Sequence, residues 1–224
     1  MKIISRVVIS VVLILLSTSA IYAQDLSRYR NFSFGMKLAD ISKQVAPQLV
    51  QTKLVHKYPA VIEEATWWPR ESSTPSPKGE PVWQVLFTFY NGELYRILVT
   101  YDQQAVKGLT IEDMVEAVSV DYGTATRPDA LISFPTNELY NSTERVIARW
   151  EDSRSSVNLF RSSFLNSFGV VMFSKRQDAQ VRAALAEALQ VEGREDRQGE
   201  IERQMRDAEL LEAARQKNRK TFRP

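Results

Sequence analysis

Few residues in this chain are equipped for catalysis. Histidine occurs once, at His56, and cysteine does not occur. A zinc site takes three or four ligands mainly from those two residue types, so the composition argues against a metal. A Ser-His-Asp triad would have to use His56, and no G-x-S-x-G elbow is present to carry its serine. The S-x-x-K pair, the G-x-G-x-x-G turn and the P-loop are also missing, so no cofactor is called for.

Carboxylates come in adjacent pairs, and each pair has a structural role open to it. Glu63-Glu64 fall in a β-like run, where neighbours point to opposite faces and cannot act together. Glu112-Asp113 fall in the first turn of a predicted helix, where acids favour the helix dipole. Glu151-Asp152 end a predicted strand, and "EDSR" turns the chain into the next one. No catalytic residue is assigned. A hydrolase would need carboxylates that meet only on folding, and that is the rival reading.

The aromatic residues offer binding chemistry. Trp67, Trp68, Trp83 and Trp150 can stack on a ligand or fill a core. Trp67 and Trp68 are strand neighbours facing opposite ways, and they lead into "PRESSTPSPKGEP", a loop over Pro69–Pro81.

The elements that must position these residues follow a regular order. Leu38, Ile41 and Val45 recur at helical spacing up to Pro47, and β-like runs follow over Leu49–Tyr58 and Val61–Trp68. A hairpin covers Phe87–Tyr101 around Asn91-Gly92. A helix then opens with Thr110 and Asp113 as a capping box, carries Met114, Val115, Val118 and Tyr122, and ends at Gly123. Strands return at Ala130–Phe134, Arg145–Glu151, Ser156–Arg161 and Phe168–Phe173. Val181, Ala184, Leu185, Ala188 and Leu189 then mark an amphipathic helix.

This order predicts an α+β fold. One antiparallel sheet is built from two similar halves, 34–107 and 108–176, each a helix plus about four strands. Helices on one face would account for it. The α+β domain spans 24–176, an amphipathic helix at 177–192 packs on it, and Gly193 and Gly199 interrupt a charged helical tail at 193–224. In that tail Ile201, Met205 and Ala208 form a thin stripe, and its last ten residues carry Arg215, Lys217, Arg219, Lys220 and Arg223 without an acid. A solvated, dipole-favoured helix end is the simpler account of that basic run.

The hairpin's register follows its buried face. A three-residue loop of Tyr90-Asn91-Gly92 would place Trp83, Val85, Phe87 and Phe89 on one face with Tyr95, Ile97, Val99 and Tyr101. The opposite face mixes Leu86 and Leu98 with Thr88 and Arg96, too apolar for open water. Either the Val181–Leu189 helix covers part of it or a partner does. Cover by the chain itself is favoured because large exposed apolar patches are uncommon on monomers. The hairpin is therefore mainly core, and its second face is where a binding surface could lie. The candidate partner-binding residues are therefore Trp67, Trp68, Arg96, Leu86 and Leu98.

The N-terminus reads as an export signal over 1–23. Lys2 and Arg6 precede an apolar run from Val7 to Leu16, and small Ala23 marks the cleavage point. The run is shorter than the ~20 residues of a spanning helix, so no membrane span remains after cleavage. The precursor holds 29 basic and 27 acidic residues, and removing Lys2 and Arg6 levels the two counts. A neutral mature chain gives no reason to expect nucleic acid.

"FSFGMKLADISKQV", leading through strands to "WWP", resembles the opening of small exported α+β domains of the outer-membrane assembly lipoprotein and β-lactamase-inhibitor-protein type. Those begin with a G-M-containing helix start and continue into an antiparallel sheet. A fainter echo runs over Leu109–Trp150. Without cysteine, neither lipid attachment nor disulfide support carries over. The resemblance implies protein binding without turnover and transfers no functional residue. Taken together, the expectation is a bacterial periplasmic or secreted interaction module with a protein partner in the cell envelope. A structural envelope component held through its C-terminal helix is the third reading.

Overall fold

A computed structural model describes residues 24–45, 50–69, 80–134, 143–163 and 165–221. The expected export signal, most of the Pro69–Pro81 loop and Phe222–Pro224 lie outside the described residues. Strands β1 (Arg28–Tyr29) and β2 (Phe32–Ser33) make a small hairpin, and helix α1 (Leu38–Gln44) follows. Next come β3 (Val50–His56), β4 (Ile62–Trp67), β5 (Val82–Tyr90) and β6 (Glu93–Tyr101). The second half repeats the order with α2 (Ile111–Tyr122), β7 (Leu131–Ser133), β8 (Thr143–Glu151), β9 (Ser155–Ser162) and β10 (Ser167–Ser174). Helix α3 (Lys175–Thr221) closes the chain.

The eight long strands form one antiparallel sheet in the order β3-β4-β5-β6-β10-β9-β8-β7. The last strand of each half thus meets the other at the sheet centre. This is the α+β architecture expected from the sequence, with the tail helix in place.

Each face of the sheet has its own cover. On one face Ile41 of α1, Met114 and Val118 of α2, and Leu26 and Phe32 of the N-terminal segment close over Val85, Phe87, Ile97, Val99, Leu159 and Met172. Trp150 is 1% exposed there, and its indole N–H donates to the Gly123 carbonyl at 2.8 Å, so the end of α2 is pinned to β8. The capping box forms as expected: Thr110 Oγ1 accepts from the Asp113 N–H, and the Asp113 carboxylate accepts from the Thr110 N–H.

The opposite face is covered by α3 and by the β7 segment. Val181 of α3 packs on Ile62 and Tyr95, while Ile132 and Phe134 lie over Leu86, Leu98, Phe160 and Val171. The expectation of helices on one face is therefore corrected. Two half-buried sheet faces each need an apolar cover, and α1 with α2 can supply only one.

A second correction concerns the tail. Gly193 and Gly199 do not interrupt it, and α3 is one helix of 47 residues, ~70 Å at 1.5 Å per residue. Each glycine costs roughly 1 kcal/mol in a helix, too little to stop propagation through so many Ala, Glu, Gln and Arg neighbours.

Candidate functional site

The register of the β5–β6 hairpin decides where its functional candidates point. Asn91 and Gly92 both have positive φ, +50° and +78°, and form a two-residue turn with Tyr90 opposite Glu93 and Phe89 opposite Leu94. The extra residue lies one step further along, at Tyr95. Beyond this bulge Phe87 faces Ile97 and Val85 faces Val99, the odd-with-odd pairing that the apolar face demands. The bulge thus sits in the strand and not in a three-residue loop. It turns Tyr95 away from Ile97 and onto the α3 face, where it meets Ile62 and Val181.

Arg96 lies on the same face and is 6% exposed. Its guanidinium stands 3.6 Å from the Asp178 carboxylate of α3 and donates to the Ser133 carbonyl at 3.1 Å. It also stacks over Phe134 and Phe173, with centroids at 5.3 and 5.9 Å. Asp178 accepts in turn from Arg182 Nε at 2.8 Å. Leu86 and Leu98 pair directly and are 6% and 3% exposed beneath Ile132 and Phe134. The mixed hairpin face is thus closed by the chain itself.

The five predicted binding residues do not converge. Trp67 lies on the other face, edge-on to Phe32 at 5.8 Å. Trp68 is half-buried just after β4. Arg96, Leu86 and Leu98 are covered where they stand, so a partner could reach them only by displacing α3 or the β7 segment.

Four of the carboxylates are engaged structurally. Glu112 pairs with Arg127 at 3.7 Å, Glu151 with Lys175 at 2.7 Å, and Asp152 caps the turn through the Arg154 and Ser155 N–H groups. Glu144 accepts from the Ser163 N–H and hydroxyl. His56 is half-buried at the end of β3. Among the described residues no group of three or more His, Cys, Asp or Glu is placed to hold a metal ion.

The distal half of α3 is left open by the fold. Val181 is buried against the sheet, but from Glu200 to Lys217 the side chains are exposed on every side of the helix. Ile201, Met205, Leu210 and Leu211 are 57–73% exposed. Glu200–Arg203 and Glu212–Arg215 ion pairs, with Gln204 and Gln216 bonded back to Glu200 and Glu212, support the helix along its own surface. Arg215, Lys217, Arg219 and Lys220 follow with no acid among them. Sequence reasoning saw this stripe but expected it on an interrupted tail. In the structure it is carried by a continuous arm rooted at Asp178. Among the described residues no helix is long and apolar enough to cross a membrane. No family model, curated protein or solved structure matches the chain.

Proposed function

We propose that this chain is an exported, non-enzymatic interaction module of the bacterial cell envelope that presents its distal α3 arm to a protein partner. The observation that carries this reading is the arm itself. A long helix is fastened at one end by a buried ion pair, and its other half leaves four large apolar side chains in water. Ile201, Met205 and Ala208 stand at i, i+4 and i+7, the spacing with which a helix lays anchors into a groove. The export half of the reading rests on Lys2, Arg6, the Val7–Leu16 run and Ala23. The non-enzymatic half rests on the structural roles of Glu112, Glu144, Glu151 and Asp152 and on the occurrence of a single histidine.

Site-specific photo-crosslinking in living cells tests it. A crosslinker at Ile201 or Met205 should trap one discrete protein adduct, and a Met205→Glu change at the neighbouring turn should remove it. A crosslinker at Val120, 78% exposed on α2, should trap none. Equal adducts from both places, or none from the arm, would overturn the reading. N-terminal sequencing of the same protein should begin at or near Gln24.

A further inference from the structure

Two cavities adjoin where the N-terminal hairpin, β6 and α2 meet. The outer one, about 600 Å³, is lined by Asp25, Arg28, Tyr29, Tyr101, Asp121 and Tyr122 among others. The inner one, about 210 Å³, lies under α2 against Val106, Met114, Ala117, Val118 and Val170. Tyr29, Tyr101, Asp121 and Tyr122 belong to both walls, so a polar cleft, the vestibule, adjoins a more apolar one, the chamber, and both are open to solvent. An apolar cavity of ~150 Å³ stays dry and accepts benzene, so the chamber has room for a hydrocarbon group of about six carbons.

The polar groups at the mouth are incompletely used. Tyr122 donates its hydroxyl hydrogen to the Arg28 carbonyl at 3.0 Å, whereas the Tyr29 and Tyr101 hydroxyls have no hydrogen-bond partner among the described residues. These half-buried phenols are left to water or to a ligand. Burial raises the pKa of all three tyrosines, that of Tyr101 to about 12, so each is a neutral donor at ordinary pH. Arg30 is satisfied by Glu80 through two bonds of 3.1 and 2.8 Å, and Asp25 by Ser27. Two exposed charges, Arg28 and Asp121, make no described ion pair there. The nearby Asp25 carboxylate has its pKa held down first by the Ser27 hydrogen bonds and further by Arg28. Arg28 spends Nε on the Arg30 carbonyl and its terminal nitrogens on no described group, and Asp121 has no ion-pair partner among the described residues. The two line the same vestibule without pairing with each other.

We infer that vestibule and chamber together bind a small zwitterionic amphiphile. Its apolar group enters the chamber, its anionic end takes hydrogen bonds from Arg28 and the Tyr29 and Tyr101 hydroxyls, and its cationic end lies against Asp121. A purely anionic or purely cationic head would leave one of the two charges facing it with the wrong sign. Apolar amino acids and short-chain phosphocholine lipids share this chemistry. The inference does not depend on the α3 arm.

Isothermal titration of the mature full chain with leucine and with hexylphosphocholine below its micellar concentration tests it, with hexyl sulfate and hexyltrimethylammonium as single-charge probes. At least one zwitterion should bind, at least about tenfold tighter than both single-charge probes. Which one binds identifies the source as amino acid or lipid. Arg28→Gln, an exposed change, and Tyr101→Phe, which keeps the ring and removes the hydroxyl, should each weaken that binding several-fold with thermal unfolding unchanged. Binding by neither zwitterion, equal binding by a single-charge probe, or full affinity in both variants would overturn the inference.

Discussion

Arg96 and Asp178 stand 3.6 Å apart with both side chains under a tenth exposed, so the middle of β6 and the root of α3 share a buried ion pair. The bulge at Tyr95 sets this up by turning two successive residues of β6 toward the helix. The two charges are unequally supported. Asp178 also holds Arg182, whereas Arg96 has only the Ser133 carbonyl and two aromatic rings besides. Losing the carboxylate therefore strands the charge with fewer alternatives. Asp178→Ala should destabilise the protein by roughly 3–5 kcal/mol, and Arg96→Met, which keeps the stem, by less. Urea midpoints at constant slope measure both. The reverse order would mean that Arg96 is held mainly by its aromatic stack.

Two glycines separate backbone strain from overpacking. Gly92 has φ +78° and open space where a Cβ would stand, so Gly92→Val acts through conformation alone and should cost ~1 kcal/mol or more. Gly169 carries no positive φ, but a Cβ there would lie 2.5 Å from the Phe160 ring, itself fully buried. Gly169→Ala should cost about 1–3 kcal/mol, and trimming the ring in a Gly169→Ala/Phe160→Leu double variant should recover part of it. Additive losses in the double variant would show that the two sites do not touch.

What could be read in advance was what neighbouring residues decide among themselves. The Thr110–Asp113 box, the alternation of β5 with β6 and the helix-then-strands order of each half are local signals, and the two-half sheet follows from them. The bulge at Tyr95 was displaced by a few residues because a three-residue loop and a two-residue turn plus bulge both pair odd with odd, although the loop would set Phe87 opposite Tyr95 and the structure sets it opposite Ile97. The binding surface was misplaced for a different reason. The polarity of Arg96 and the apolarity of Leu86 announce an uneven face, but only the tertiary fold shows that Asp178, Ile132 and Phe134 complete it. Nothing in the spacing of Tyr29, Tyr101 and Tyr122 joins them, since they come from three elements far apart in the chain.

The buried phenols predict behaviour in alkali. Desolvation raises the ionisation of Tyr29, Tyr95, Tyr101 and Tyr122 above the ordinary value of 10.0, Tyr101 to about 12. A raised acid holds its proton more tightly in the folded state, so the stability it contributes is complete below pH 10 and declines as pH climbs through the folded values. Phenolate absorbance should therefore show Tyr29, Tyr95, Tyr101 and Tyr122 titrating late. Denaturant midpoints should begin to fall near pH 10. Midpoints that stay flat to pH 12 would contradict the desolvation.

The α3 arm should be separable from the domain energetically. From Glu200 to Lys217 its side chains are solvated, whereas Val181 and Leu185 close the sheet near Tyr95 and Ile62. A chain ended after Gly199 should therefore melt within a degree or two of the full chain, since it loses only exposed surface. Val181→Asp should lower the midpoint strongly by burying an unpaired charge in that cluster. Within the arm, Gly199 has no positive φ and no atom near its missing Cβ, so Gly199→Ala should raise helicity by about 1 kcal/mol of local propensity and leave the domain's melting unchanged. Circular dichroism of the full chain reads the first change and a tryptophan-monitored melt the second. A large drop in melting on ending the chain at Gly199 would show that the arm folds back onto the domain and would remove the free surface on which the proposed function depends.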